Sequence, residues 1–182
     1  MLQIEIPRAE LYNESNNEFI TLPPVKLQLE HSLVSLSKWE SKWHKPFLSD
    51  EKKTVEETVD YIRCMTITQN VPPDVYLRIN SSIVDQVNAY IDDPMTATTF
   101  NDVKKEGQAK KKTIVTSELI YYWMIALNIP PDFQKWHLNR LLTLIRVCEI
   151  KNTPSKKMSP RELMSRNRAL NAARRQKFNT RG

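Results

Sequence analysis

Glycine is nearly absent from this sequence, which contains two glycines among its 182 residues. Tight turns and phosphate-binding loops rely on glycine because it adopts positive φ angles without steric cost. The shortage therefore disfavours folds built on P-loops or dinucleotide-binding loops. Eleven prolines supply the breaks between helices and strands instead.

The sequence also lacks the common catalytic and metal-binding motifs. It has no Gly-x-Ser-x-Gly, P-loop, dinucleotide fingerprint, His-Glu-x-x-His or Cys-x-x-Cys pattern. His31, His44 and His137 show no metal-ligand spacing with one another or with the cysteines. Glu118 and His137 lie on two neighbouring predicted helices, so a catalytic pair stays open beside an ordinary polar contact. We predict a protein that is not an enzyme and that binds no cofactor or metal.

Cysteine and long apolar runs are scarce as well. Cys64 and Cys148 both fall on apolar helical faces, which favours buried reduced thiols and leaves a disulfide or a catalytic thiol as alternatives. The longest apolar run, Leu119 to Leu127, is less than half of the ~20 residues that cross a bilayer. The first ten residues have no signal-peptide pattern. We expect a soluble cytosolic protein with no membrane partner.

Charge is divided unevenly along the chain. There are 27 Lys/Arg and 21 Asp/Glu, a formal net charge of +6. Ten of the cations and one of the anions lie in residues 151–182, which leaves 17 cations against 20 anions, or −3, for residues 1–150. We predict a helical body with N-terminal strands over 1–150, and a basic linker and C-terminal helix over 151–182. Such asymmetry is typical of a tail with its own partner or of a solvated extension.

The stretch from Thr116 to Lys151 is the predicted centre of the fold. Pro130-Pro131 divides it, so one helix ends near Asn128 and a second begins at Pro131. The first is apolar on every side from Leu119 to Leu127, which predicts an element enclosed either by the core or by a partner. The short connection predicts antiparallel neighbours. The second helix carries one apolar face, made of Leu138, Leu141, Leu142, Ile145 and Cys148.

The remaining elements predict a mainly α, α+β fold with a small N-terminal sheet and a separable basic C-terminal helix. Alternation or β-branched composition indicates strands at Leu2–Ile6, Phe19–Leu22, Val25–Leu29, Met95–Phe100 and Thr113–Val115. Capping signals and apolar spacing indicate helices from Ser32, from Thr54 with its capping-box residue Glu57, from Pro72-Pro73, from Asn80 or Ser81, and from Ser159. Asn101–Lys112 is predicted to be a lysine-rich surface loop, with a polyanion contact as the alternative.

Two groups of residues are candidates for binding a partner. Trp39 and Trp43 lie one turn apart on one helical face, where aromatic core packing competes with a partner-facing hot spot. The C-terminal helix carries the second group, which comprises Arg161, Arg166, Arg168, Arg174, Arg175 and Lys177. That helix has a thin apolar stripe, so it is either docked by the stripe or helical only when bound.

Several strings in the chain resemble a group of small proteins from long-tailed bacteriophages. The similarity covers nearly the whole length, and none of its strings has a mechanism attached. The strings are Leu29–Leu33, Trp39–Trp43, Met95–Phe100, Glu118–Met124 and Trp136–Leu142. Related proteins are encoded in tail and head-tail gene clusters of phages and prophages, and some are tail assembly chaperones. Those chaperones are mostly helical and keep the tape-measure protein soluble while the tail tube polymerises around it.

The resemblance implies a phage morphogenesis factor that acts in the host cytoplasm. The expected activity is that of a tail assembly chaperone, and the expected partners are the tape-measure protein or other tail proteins, with self-association as a further option. One alternative is a structural head-tail connector or completion protein of the virion. Another is a nucleic-acid-binding protein that acts through its basic tail, against which the acidic body counts.

Overall fold

The computed structural model describes residues 1–13, 17–100, 114–153 and 160–178. These ranges form a mainly helical α+β fold, 54% helical with a small antiparallel β component, as predicted. The strands are β1 (Leu2–Ile6), β2 (Ala9–Asn13), β3 (Glu18–Leu22) and β4 (Val25–Leu29). The helices are α1 (Leu33–Trp43), α2 (Val55–Met65), α3 (Asp74–Leu77), α4 (Ser81–Asp92), α5 (Ser117–Ala126), α6 (Leu138–Asn152) and α7 (Pro160–Phe178). The predicted loop Asn101–Lys112 lies outside the described residues.

The four strands form one long antiparallel hairpin that is interrupted in the middle. β1 pairs with β4 and β2 pairs with β3, and both ladders keep the same register. The interruption falls where Pro7 lies opposite Pro24, because proline has no N–H to donate to a ladder. The Arg78 guanidinium supplies the missing donor at this point, because its Nη1 donates to the carbonyls of Pro7 and Pro23 at 3.1 and 3.0 Å. The small sheet was predicted, whereas β2 was not.

The second edge of β4 is covered by the chain that leaves α2. The Ile67 N–H donates to the Gln28 carbonyl at 2.8 Å, and the Gln28 N–H donates to Thr68 Oγ1 at 2.9 Å. A single antiparallel bridge joins Leu29 to Thr66. These bonds pair backbone groups that would otherwise be left without partners at the edge of the sheet.

Helix α1 lies at the centre of the main core. Leu33, Leu36 and Trp39 are buried on it, and its backbone lies close to those of α2, α5 and the 3-10 turn Pro131–Lys135. The predicted start at Ser32 is confirmed, with a capping box between Ser32 and Ser35. The other large, fully buried side chains are Tyr61, Ile6, Leu27, Leu29, Ile62, Met65, Ile120, Leu138 and Leu141.

The predicted connection between α5 and α6 is wrong. Pro131 begins a 3-10 turn rather than the second helix, and α6 begins seven residues later at Leu138. Trp136 is extended, and His137 forms a bridge with Ser32, so that the Leu138 N–H donates to the His31 carbonyl at 2.7 Å. The chain is therefore tied to the start of α1 before α6 begins, and α5 has α1 as its close backbone neighbour.

The predicted strand at Met95–Phe100 is also wrong. Met95 has a φ of 48°, and its N–H is bonded to Asp93 Oδ1 at 2.7 Å. The Thr98 N–H is likewise bonded to Thr96 Oγ1 at 3.1 Å. Short side chains that bond the nearby backbone favour turns over a ladder. Ile114 and Val115, the described part of the other predicted strand, are not in a strand either.

The chain forms two compact units, Met1–Glu149 and Ile150–Gly182. The first contains the hairpin and α1 to α5 together with most of α6. The second contains α7, which begins at Pro160 as the capping signal at Ser159 predicted. No helix within the described ranges is long and apolar enough to cross a membrane.

Candidate functional site

An open apolar groove lies where the end of α1 meets α2 and α3. Its volume is about 690 Å³. The lining side chains come from three places: Lys42 and Trp43 on α1; Val55, Glu56, Val59, Asp60 and Arg63 on α2; and Pro73, Asp74, Tyr76, Leu77 and Ile79 on and around α3. We call this surface the Trp43 groove. Its volume lies within the range of about 300–1,000 Å³ that is typical of ligand pockets.

Two of the most exposed apolar side chains in the described part of the chain stand in the Trp43 groove. Val55 is 81% exposed and Leu77 is 85% exposed. Val55 is the first residue of α2, and its side chain is not covered by the core. Tyr76, by contrast, is buried. The groove thus joins buried aromatic surface to fully exposed aliphatic side chains, which is typical of a surface that binds a partner.

Polar contacts hold one wall of the Trp43 groove in place. The Asp60 carboxylate accepts a hydrogen bond from Trp43 Nε1 at 2.9 Å and forms an ion pair with Lys42. Arg63 lies over the Tyr76 ring, with its guanidinium carbon 5.9 Å from the ring centroid. The indole of Trp43 is therefore fixed in orientation, and a fixed aromatic side chain loses little entropy when a partner packs on it.

The structure separates the two predicted partner-binding tryptophans. Trp39 is 1% exposed, and its Nε1 donates to the Glu57 carbonyl at 2.9 Å. Its prediction as a partner-binding residue is therefore corrected, because its side chain offers a partner no surface. Trp43 is stacked on Trp39 at a centroid distance of 6.2 Å and reaches the surface. The core interpretation applies to Trp39, and the partner-facing interpretation of Trp43 stays a prediction.

Helix α5 presents a second apolar surface. Tyr122 and Ile125 are 64% and 76% exposed, whereas Ser117, Ile120 and Met124 are buried. The core alone therefore does not enclose this helix, although it is apolar all round. Tyr122 and Ile125 are three residues apart on α5, so they form one exposed apolar patch.

The two buried histidines lie in a cluster with Tyr61 and Tyr90. His31 Nδ1 lies 2.5 Å from the Tyr61 hydroxyl, and the His31 and His137 rings are 5.2 Å apart. His137 Nε2 lies 3.0 Å from the Tyr90 carbonyl, and its Nδ1 accepts a hydrogen bond from the Asn139 N–H. Both histidines are buried, whereas Glu118, the alternative catalytic partner of His137, is exposed. Burial, with the His137 charge second, lowers the pKa of His31 to about 3.

Neither cysteine forms a disulfide. Cys64 and Cys148 are free and half-buried, and burial raises the pKa of the Cys64 thiol. A raised pKa disfavours the thiolate, which is the nucleophilic form. Among the described residues no group of three or more His, Cys, Asp or Glu side chains could hold a metal ion.

The basic candidates lie together on α7, in the second unit. Arg161, Arg168, Arg174 and Arg175 are exposed there. Arg166 and Lys177 belong to the same helix, and their side chains lie outside what the structure describes. Exposed Met164, Leu170 and Phe178 interrupt the basic surface.

The sequence missed the groove because its lining comes from three separate helices. Val55 and Leu77 each lie at an end of a helix, where periodicity does not determine which way a side chain points. Leu77 ends the apolar run Val75-Tyr76-Leu77 after Pro72-Pro73, so composition does not distinguish it from its buried neighbours. The fold and this surface define a mainly helical α+β protein with an open apolar groove. No protein-family model, curated protein or solved structure matches the chain.

Proposed function

We propose that this protein is a non-enzymatic assembly factor that binds a helical segment of a partner in the Trp43 groove. The observation that carries the proposal is the pairing of a fixed indole with the exposed side chains of Val55 and Leu77. An amphipathic helix offers apolar residues at positions i, i+3 or i+4 and i+7, and these fit an open groove of this kind. Together with the sequence resemblance, this supports a tail assembly chaperone of a long-tailed phage that binds the tape-measure protein in the host cytoplasm.

The charges of the Trp43 groove narrow the choice of partner segment. Lys42 and Arg63 contribute positive charge to its lining, and Glu56, Asp60 and Asp74 contribute negative charge. A segment that carries both signs beside its apolar stripe is the best electrostatic match, since complementary charges determine register more than affinity. A long helical rod with an apolar stripe, as a tape-measure protein is expected to be, offers many such segments.

A structural virion component is the second candidate, and the β2–β3 ladder favours it. Phe19 and Ile20 are exposed on β3, and both strands belong to a two-stranded sheet. Exposed apolar strands are usually covered by a permanent neighbour. Mass spectrometry of purified virions separates the candidates, because a connector is present in fixed copy number and a chaperone is absent.

Introducing a negative charge into the Trp43 groove tests the leading proposal. Val55→Glu and Leu77→Glu alter side chains that are more than four-fifths exposed, so the fold is kept. Each variant should weaken binding to a co-expressed tape-measure protein at least ~10-fold, or about 1.4 kcal/mol. The readout is pull-down followed by titration of the purified pair.

Ile67→Glu is the matched control, since Ile67 is exposed and lies outside the groove lining. It should bind like the parent. If Ile67→Glu weakens binding while the groove variants do not, the partner binds elsewhere. If none of the variants binds differently from the parent, the groove has no part in this function.

A further inference from the structure

The arginines of α7 form a row along the helix. Arg161, Arg168 and Arg175 are seven residues apart, which is close to two full turns, so all three lie on one side. Successive guanidinium groups are therefore about 10 Å apart along the axis at 1.5 Å per residue. Arg174 adds a fourth exposed cation near one end. We call Arg161, Arg168 and Arg175 the arginine row.

Among the described residues, the arginine row forms no ion pair. Its three side chains are exposed, and the described residues provide no carboxylate partner for them. The neutral polar residues Asn167 and Asn171 are exposed on the same helix. Arginine and asparagine are the side chains that form paired hydrogen bonds with phosphates, guanine and adenine.

We propose that α7 binds duplex DNA through the arginine row. An α-helix is about 10–12 Å across with its side chains, so it fits the major groove, which is about 12 Å wide. The arginine row can neutralise phosphates along about 20 Å of the helix. An acidic helical protein is the competing partner, but the described exposed apolar side chains of α7 do not form a regular seam for it. Its exposed apolar residues Met164, Leu170 and Phe178 are six and eight residues apart, whereas a coiled-coil seam alternates steps of three and four. This inference is independent of the Trp43 groove.

Fluorescence anisotropy of a labelled ~20-base-pair duplex with the full chain tests the proposal. Three phosphate contacts predict a slope of log K against log salt at least as steep as about −2.7. Affinity should therefore fall at least ~40-fold between about 50 and 200 mM salt. The variant R161Q/R168Q/R175Q should lose this slope, and glutamine should keep the helix because its propensity matches that of arginine.

The control variant K38Q/K52Q/K135Q removes the same charge from exposed lysines of the first unit. Its slope of log K against log salt should differ from that of the parent by less than about 0.9, which corresponds to one phosphate contact. R161K/R168K/R175K should also keep the slope, since phosphate contacts depend on charge. The circular dichroism of each variant should match that of the parent, and a loss of helix in R161Q/R168Q/R175Q leaves the lysine variant as the deciding one.

Three outcomes would overturn the proposal. One is that the parent does not bind the duplex at about 50 mM salt, where non-specific binding is strong. Another is that the lysine control loses as much affinity as R161Q/R168Q/R175Q, which would make the effect one of net charge. The last is that poly-glutamate binds more tightly than the duplex at equal salt, which would assign the row to an acidic protein. Val55→Glu should leave duplex binding unchanged.

Discussion

Helix α1 is rich in polar residues and is largely buried, whereas helix α5 is apolar and partly exposed. Helix α1 contains two lysines, a glutamate and three serines, yet Leu33, Leu36, Trp39 and even Glu40 are buried on it. Helix α5 is apolar from Leu119 to Ala126, yet it leaves Tyr122 and Ile125 exposed. The difference arises from their neighbours: α1 lies close to α2, α5 and the 3-10 turn, whereas the close backbone contacts of α5 among the described elements are with α1. Burial therefore follows position in the fold, and α5 keeps exposed apolar surface at Tyr122 and Ile125.

The largest expected effect is the loss of a core side chain from α1. Trp39→Ala and Leu36→Ala remove fully buried side chains and should each lower the free energy of unfolding by about 3–5 kcal/mol. The measurement is chemical denaturation monitored by circular dichroism. Ile125→Ala on α5 is the matched truncation and should change stability by less than about 0.5 kcal/mol. Equal losses at Trp39 and Ile125 would contradict the contrast between the two helices.

The next effect is a loss of stability in acid that depends on His31, which precedes α1. The pKa of His31 is lowered from 6.5 to about 3 in the folded state by burial, and then by the charge of His137. The unfolded chain thus takes up the proton first, so stability is present above pH ~6.5 and is lost as pH falls towards ~3. The slope from this group is about 1.4 kcal/mol per pH unit.

In His31→Gln the free energy of unfolding should depend less steeply on pH than in the parent, by that slope. The variant should also be less stable at neutral pH, because the contact with Tyr61 changes. Exposed His44 provides the control, and His44→Gln should keep the slope of the parent. Unfolding titrations at half-unit pH steps measure both. An unchanged slope in His31→Gln would show that His31 titrates normally.

A smaller effect concerns the carboxylate that connects the two helices. Glu40 is buried, and its two oxygens accept from the Phe47 N–H at 2.9 Å and the Ser117 N–H at 2.7 Å. Ser117 is the first residue of α5, so a side chain on α1 satisfies an N–H at the start of α5. Glu40→Gln has one acceptor oxygen fewer and should cost about 1–3 kcal/mol.

Glu118→Gln tests the same helix end without the connection to α1. Glu118 is exposed in the first turn of α5, and its loss should cost about 0.3–1 kcal/mol through the helix dipole. Thermal melts of the two variants give the comparison. A cost at Glu40 no larger than that at Glu118 would mean that the buried carboxylate does not hold α5.

The smallest effect should come from the exposed face of α5. Tyr122→Ser and Ile125→Ser replace exposed apolar side chains and should leave the free energy of unfolding within about 0.5 kcal/mol of the parent. Thermal unfolding of the isolated chain is the measurement. A loss above ~2 kcal/mol in the isolated chain would mean that this face is covered by something within the chain.

The sequence predicted the elements whose signals are local. Ser32 and the pair Thr54 and Glu57 cap helices because each bonds backbone groups three residues away. The strand at Leu2–Ile6 shows the predicted alternation of buried and exposed residues. Local signals failed at Met95–Phe100, where β-branched composition competed with turn-forming hydrogen bonds and the turns prevailed.

Contacts between distant residues could not be predicted in this way. Glu40 occupies an apolar position in the pattern of α1, and its carboxylate is paired by the Phe47 N–H and by the N–H of Ser117, 77 residues later. The Trp43 groove likewise requires three helices to meet. The arginine row, in contrast, is visible in the sequence because it depends on the period of one helix.

The proline break in the N-terminal hairpin has a mechanical consequence. A continuous ladder resists bending along its length, but at Pro7 and Pro24 the ribbon lacks cross-strand donors. Arg78 donates hydrogen bonds to both strands at this break. We therefore expect its guanidinium to determine the angle between the β2–β3 ladder and the β1–β4 ladder. We expect Arg78→Met to change the direction of the β2–β3 ladder while both ladders stay paired. Spin labels at Phe19 and Lys38 would report the swing as a changed distance distribution, and an unchanged distribution would show a stiff joint.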